Sequence, residues 1–334
     1  MQSYKEHPLL HVLANMQRRS VSDCDQQLGD ELDASLRMRR RIGSIIYPIK
    51  NRIERFLSER RLRRLGVARE EYAAANVICY GQKGFGSDVF LTQIARILGK
   101  LESVVCFGCG LGAEVALVAR ILKPRKVIGY DYFSYSQAWA EVKRRVESEL
   151  RVAVEFECLD LRHQVLGRRT KGDLVISFAV LEHLRDMDSC FEQIKGMIRN
   201  EGWFASQWGP MWYSFSGDHF SSESGFEMGY QHLLLSPAEY LEYYNTHPHN
   251  IADSRACGAT WLELGLQNFA RYDEYLAAIK KWFGPVTFLK WQLSAEAFRW
   301  ANRYPNKFRH ILEKHPHLKP LDLVLGGAAA VSRN

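Results

Sequence analysis

The sequence has no apolar run approaching the roughly 18–20 residues that a helix needs to cross a bilayer. Its opening, MQSYKEHPLLHVLANMQRRS, lacks an apolar signal core followed by a small-residue cleavage site. Seven cysteines, an odd number in no framework spacing, suit a reducing compartment. Internal repeats and low-complexity tracts are also missing, which excludes solenoids and biased-composition scaffolds. These absences leave a cytoplasmic globular protein. Its 334 residues suffice for one large α/β domain with an accessory element, or for two modest domains.

The net charge of +7 is not spread along the chain. Between Arg37 and Arg64 eleven Lys/Arg face two acids, a balance of +9, so the remainder carries 7 − 9 = −2. Ile42, Ile45, Ile46, Ile49, Ile53, Phe56, Leu57 and Leu62 interleave with these cations at three- and four-residue steps. That spacing predicts amphipathic helix, broken or kinked near Pro48. Three readings of its basic face stand: packing on the core, contact with nucleic acid, or peripheral contact with an anionic membrane surface or phosphorylated carrier.

Residues 1–75 read as a helical extension. From about residue 100, short β-branched runs alternate with helical stretches. Strands are expected at Ser103–Phe107, Lys126–Tyr130, Val152–Phe156, Asp173–Phe178 and Trp203–Trp208, with helices at Ala113–Leu122, Ser134–Leu150 and Asp186–Arg199. Asn200-Glu201-Gly202 reads as the stop of the last helix. Pro285–Trp291 and Leu321–Val331 read as two further strands around a helical stretch. Strands separated by helices predict a parallel sheet with right-handed crossovers, and such sheets bind ligands beyond the carboxyl ends of their strands. Gly108, Gly110 and Gly112, then Asp131, Asp160 and Phe178, all fall on that edge.

The loop Gly108-Cys109-Gly110-Leu111-Gly112 permits a tight turn and a close ligand at a helix N-terminus. With Ala113 it also satisfies a nicotinamide dinucleotide pattern, so the glycines alone do not discriminate. The longer motifs do. VVCFGCGLGAE, VIGYDY, CLDL and above all DLVISFAVLEHL resemble the first, second, third and fourth strands of the class I S-adenosylmethionine-dependent methyltransferases. The resemblance implies an α/β, Rossmann-like sheet of six parallel strands plus an antiparallel seventh. It places the methyltransferase domain at 76–334 and implies S-adenosyl-L-methionine as cofactor. By resemblance, Gly108, Gly110 and Gly112 line the methionine and ribose, and Asp131 and Tyr132 hold the ribose and flank the adenine. Asp160 and Leu161 contact the adenine, and Phe178 lies near the methionine. Cys106 stands where the family usually has an acid, so amine recognition must partly come from elsewhere, with Tyr80–Phe85 as one source.

Cys106 and Cys109 form a C-x-x-C with no second ligand pair, so no metal is expected. Ten of the 37 residues from Trp208 to Tyr244 are aromatic, against about four at the chain average of 12%. The insert 209–283 therefore reads either as a small aromatic core or as a substrate lid whose rings face the sulfonium. The stretch around Gly209-Pro210, Ser214 and Gly217-Asp218-His219 resembles bacterial methyltransferases of surface-glycan synthesis. A hydroxyl acceptor benefits from a general base. His219 is the first candidate and His183, after the fourth strand, the second. The Asn/Asp-Pro-Pro-aromatic run of base-nitrogen methylases is replaced by Ser177-Phe178-Ala179-Val180, which disfavours nucleic acid. The expected activity is O-methylation of a saccharide, glycan or related small acceptor. Alternatives are a natural-product O-, N- or C-methyltransferase and an inactive methyltransferase-like binding module.

Overall fold

The computed structural model describes residues 46–78, 86–159, 171–247, 261–262 and 264–334, with side chains from residue 55 onward except those of 76–78. A basic helix α1 (Ile46–Arg64) and a short α2 (Arg69–Tyr72) lead into β1 (Asn76–Ile78). Pro48 lies in the first described turn of α1, and from there the helix runs unbroken to Arg64.

The alternation read from the sequence then unfolds in order. It runs α3 (Ser87–Leu98), β2 (Ser103–Phe107), α4 (Ala113–Leu122), β3 (Lys126–Asp131), α5 (Ser136–Leu150), β4 (Ala153–Cys158) and β5 (Gly172–Phe178). A 3-10 turn (Leu181–His183), α6 (Met187–Gly196) and β6 (Ile198–Trp208) follow. The insert contributes α7 (Gln231–Leu234) and α8 (Pro237–Thr246), and α9 (Tyr272–Phe283) returns to the sheet. The chain finishes with β7 (Val286–Leu293), α10 (Ala295–Arg303), α11 (Pro305–Lys314), α12 (Pro320–Val324) and β8 (Leu325–Arg333).

One eight-stranded sheet has the order β1-β7-β8-β6-β5-β2-β3-β4. β8 runs antiparallel to both its neighbours, and every other pairing is parallel. The expected Rossmann-like methyltransferase sheet is thus present, with β1 as an additional edge strand beside β7. Two local expectations are corrected. Asn200-Glu201-Gly202 does not stop a helix; it bulges out of β6, where the register slips between Ile198 and Trp203 and Glu201 takes φ 60°. Leu321–Val324 belongs to α12 rather than to the last strand, its turn closed by Asp322 accepting from the Lys319 N–H at 2.8 Å.

Strand side chains alternate between two cores. Val104, Cys106, Leu174 and Ile176 pack under α3, α4 and α5. Val105, Phe107, Val175 and Phe204 face α6, α9 and the insert. The aromatic excess joins this second core. Trp208, Trp212, Tyr213, Phe215, Phe220, Tyr230, Tyr240, Tyr243 and Tyr244 are all buried there. Asp218 is its polar centre, taking the N–H groups of Phe220 and Ser221, the Ser221 hydroxyl, and the Tyr240 hydroxyl at 2.6 Å.

Candidate active site

A cavity of about 520 Å³ opens at the carboxyl ends of β2, β3 and β5. Its floor is the glycine loop. Gly108, Gly110 and Gly112 have φ of 67°, 49° and 97°, a region costly for side-chain-bearing residues. A Cβ on Gly108 would lie 2.2 Å from Val180 Cγ2, so the turns after β2 and β5 fit together only without a side chain. Nothing lies within 4 Å of a Cβ placed on Gly110, which leaves room beside the loop for a ligand.

Asp131 ends β3 and is buried against that loop. Its Oδ2 accepts from the Gly110 N–H at 2.7 Å and its Oδ1 from the Phe133 N–H at 2.9 Å. Burial raises its pKa, while these backbone donors pull the other way. Trp139 fixes the loop from the far side, its Nε1–H donating to the Gly110 carbonyl at 2.8 Å and its ring stacked on Phe156.

The opposite wall is Phe178, Ala179, Val180 and His183, continuing into Arg185, Asp186 and Ser189. The 3-10 turn that carries His183 is stapled to the end of the insert. Asn268, fully buried, donates from Nδ2 to the carbonyls of Leu181 and Leu184, and its N–H donates to the Glu182 carbonyl. Glu182 points inward, with Oε1 accepting from the Gly209 N–H at 3.0 Å and Oε2 buried without a partner. Burial pushes its pKa up to about 7.

His183 meets the Leu266 carbonyl through Nδ1 at 2.8 Å and stacks on Trp261 with ring centroids 4.3 Å apart. A carbonyl only accepts, so Nδ1 carries the proton and Nε2 keeps its lone pair. Burial, and next the neighbouring His219, pull the His183 pKa down to about 3. His219 lies behind it, ring centroids 5.3 Å apart, in a left-handed conformation with φ 62°. It is hydrogen-bonded to the Pro210 backbone, its Nε2 is buried without a partner, and burial lowers its pKa to about 4 although Asp218 opposes this.

The structure therefore gathers Gly108, Gly110, Asp131, Tyr132, Phe178 and His183 around one cavity. Gly112 supports the loop from beneath, against Phe156 and Val142. Asp160, Leu161 and the segment Tyr80–Phe85 lie outside the described residues. His219 does not line the cavity, and neither do the rings between Trp208 and Tyr244; among the described residues of the insert, Trp261 and Leu266 do. Sequence reading missed Glu114, Phe133, Tyr135, Arg185, Trp261 and Leu266, all of which line it. Glu114 carries a detectable signal, two residues beyond the glycine loop. Trp261 and Leu266 carry none, because they arrive from more than 75 residues away in the chain.

Residues 105–204 match the family model of a methyltransferase domain. No curated protein sequence matches the chain. Among solved structures, the chain is similar to an S-adenosylmethionine-dependent methyltransferase from Mesorhizobium loti, at 15% identity and TM-score 0.42, over 76% of this chain and 100% of that one. It is also similar to geranyl diphosphate C-methyltransferase from Streptomyces coelicolor A3(2), at 16% identity and TM-score 0.43, over 98% of each chain. The matched domain spans the glycine loop, Asp131 and the turn after β5, the same parts that meet around the cavity. A methyltransferase domain thus occupies residues 105–204, on the strands and turns that wall the cavity.

Proposed function

We propose that the enzyme methylates a hydroxyl of a saccharide or related small acceptor, and that His183 takes the hydroxyl proton. The observation that carries this reading is the Leu266 carbonyl on His183 Nδ1, which fixes the basic Nε2 in a side chain lining the cavity. Bound S-adenosylmethionine supplies an electrophilic methyl group on its sulfonium. The glycine loop with Phe178 lines the methionine end, Asp131 holds the ribose hydroxyls, and Tyr132 flanks the adenine. His183, neutral at physiological pH, receives the proton released as the acceptor oxygen bonds to carbon. Trp261 and Phe133, ring centroids 6.4 Å apart, offer aromatic faces to the C–H surface of a sugar ring. Alignment and exclusion of water account for much of such a displacement. His219 acts through His183 as a positioning residue, which reverses the order of preference read from the sequence.

An acceptor-library screen with labelled cofactor identifies the substrate class. On the acceptor so found, His183→Ala lowers turnover roughly 10²–10⁴-fold with S-adenosylhomocysteine affinity nearly unchanged. Loss of turnover in His219→Ala but not in His183→Ala would assign the base to His219. Labelling confined to amine or carbon acceptors would overturn the hydroxyl reading and favour a natural-product substrate.

A further inference from the structure

The basic character of the segment Arg37–Arg64 does not end with α1. α10 and α11 carry Arg299, Arg303, Lys307, Arg309 and Lys314, all exposed, against Glu296 and Glu313. Far apart in sequence, the two stretches meet in the fold, where Arg61 of α1 sits 5.9 Å from the ring centroid of Phe298 on α10. Residues 55–64 and 295–314 together hold ten Lys/Arg and three acids, and this balance of 10 − 3 = +7 equals the net charge of the whole chain.

Each helix buries one side and turns its cations outward. Ser58 and Leu62 of α1, Phe298 and Trp300 of α10, and Phe308 and Ile311 of α11 are buried. Glu59 and Glu296 are taken up within their own helices, by Arg55 at 3.0 Å and by Arg299 at 2.8 Å. At the bend between α10 and α11, the charged ends of Arg303 and Lys307 stand 5.6 and 5.3 Å from the Tyr304 ring centroid. Like charges gathered on one surface oppose the compact state, and an anionic partner offsets that cost.

The excursion from α10 to α12 leaves the sheet at Leu293 and returns at Leu325, which pair across β7 and β8. β6 and β7 both run antiparallel to β8, so β7 points the same way as β2, β3, β5 and β6. The Leu293–Leu325 pair therefore lies on the sheet edge where the cavity opens.

We propose that α10 and α11 complete, with α1, a docking surface for an anionic lipid bilayer. Exposed Phe56 and Leu57 favour a bilayer over nucleic acid, since apolar side chains enter the headgroup region and gain nothing from a phosphate backbone. Each cation near such a surface adds attraction to anionic headgroups.

Sedimentation of the full chain with phosphatidylcholine vesicles, with and without phosphatidylserine, tests this surface. Arg303→Gln with Lys307→Gln, neither of them in the cavity wall, weakens partition onto phosphatidylserine vesicles by roughly fivefold or more. Arg303→Lys with Lys307→Arg keeps both charges and stays within about twofold of the parent. S-adenosylhomocysteine affinity is unchanged in both variants. Parent-like partition of the double Gln variant would confine lipid contact to α1 and overturn the assignment. An equal loss in the charge-conserving variant would also overturn it, because charge would then not be what binds. Tighter binding to a single-stranded oligonucleotide than to the vesicles, lost with the same two cations, would give the surface to nucleic acid instead. If the double Gln variant fails to fold, Lys307→Gln alone decides: weakened partition onto phosphatidylserine vesicles supports the surface, and parent-like partition overturns it. None of these readouts depends on the acceptor or on His183.

Discussion

At the scale of single residues, Glu182 and Asp131 show how burial sets a charge. Glu182 is fully buried with one oxygen bonded to the Gly209 N–H and the other unpartnered, which raises its pKa to about 7 from an ordinary 4.5. Between those two values the folded chain holds a proton that the unfolded chain releases. Stability contributed by this group is therefore full below about pH 4.5 and is lost as pH rises through 7, up to a few kcal/mol at about 1.4 kcal/mol per unit. Denaturant titrations of Glu182→Gln between pH 4.5 and 7 will show a shallower fall than the parent; parallel curves would mean that the carboxyl is ionised in the fold. Asp131 tests the cofactor side. Removing it in Asp131→Ala takes away the acceptor of two loop N–H groups together with the proposed ribose anchor. Calorimetry with S-adenosylhomocysteine is expected to show a loss of roughly 1–3 kcal/mol, and unchanged affinity would move the nucleotide elsewhere.

At the scale of elements, the insert is a packed wedge with a thin contact on the cavity. Tyr240, on α8, donates its hydroxyl to buried Asp218 at 2.6 Å, and Asp218 also anchors the turn after His219. Tyr240→Phe leaves a buried carboxylate short of one donor, an expected cost of about 1–3 kcal/mol in thermal or chemical unfolding. A variant as stable as the parent would show that the remaining donors suffice. The alternating elements from β2 to β6 were legible because period-2 and period-3.6 patterns are local properties of the chain. Asp131, the glycines and Phe178 were legible because parallel topology sends every such strand end to one edge. Which of His183 and His219 lines the cavity was not legible in the same way. Which imidazole meets the cavity depends on Leu266 and Asn268 returning from the far end of the insert, and no local spacing encodes that return. The bulge at Asn200-Glu201-Gly202 resembled a helix stop because glycine and a left-handed residue serve both purposes.

Across the whole molecule, no helix among the described residues is long and apolar enough to cross a membrane. α1 nevertheless presents Phe56 at 58% and Leu57 at 37% exposure beside Arg55, Arg60, Arg63 and Arg64, while Leu62 is buried in the core and Arg61 sits over the Phe298 ring. One side of this helix thus packs on the protein, and the other combines apolar and cationic groups. Peripheral contact with an anionic membrane is our proposal for that outer side. Sedimentation with phosphatidylserine-containing vesicles should exceed that with neutral vesicles and fall as salt shortens the screening length from about 10 Å. Phe56→Ser with Leu57→Ser should reduce it further while leaving S-adenosylhomocysteine binding intact. Equal sedimentation with neutral and anionic vesicles would leave α1 a packing role alone.

The place of β8 in the sheet bears on how the chain comes to be folded during synthesis. β6 and β7 do not pair with each other; both pair with β8, which is translated after either of them. While residues 325–333 are still inside the ribosome, β6 has an open edge and β7, together with β1, has nothing to join it to the rest. The nascent chain can assemble the glycine loop, Asp131 and the turn after β5 early, since their strands pair among themselves. Its open β6 edge is meanwhile a template for unwanted strand pairing. Closure of the sheet therefore waits for a nine-residue segment, LGGAAAVSR, whose side chains are small or aliphatic up to the exposed Arg333 and which slides between two waiting strands.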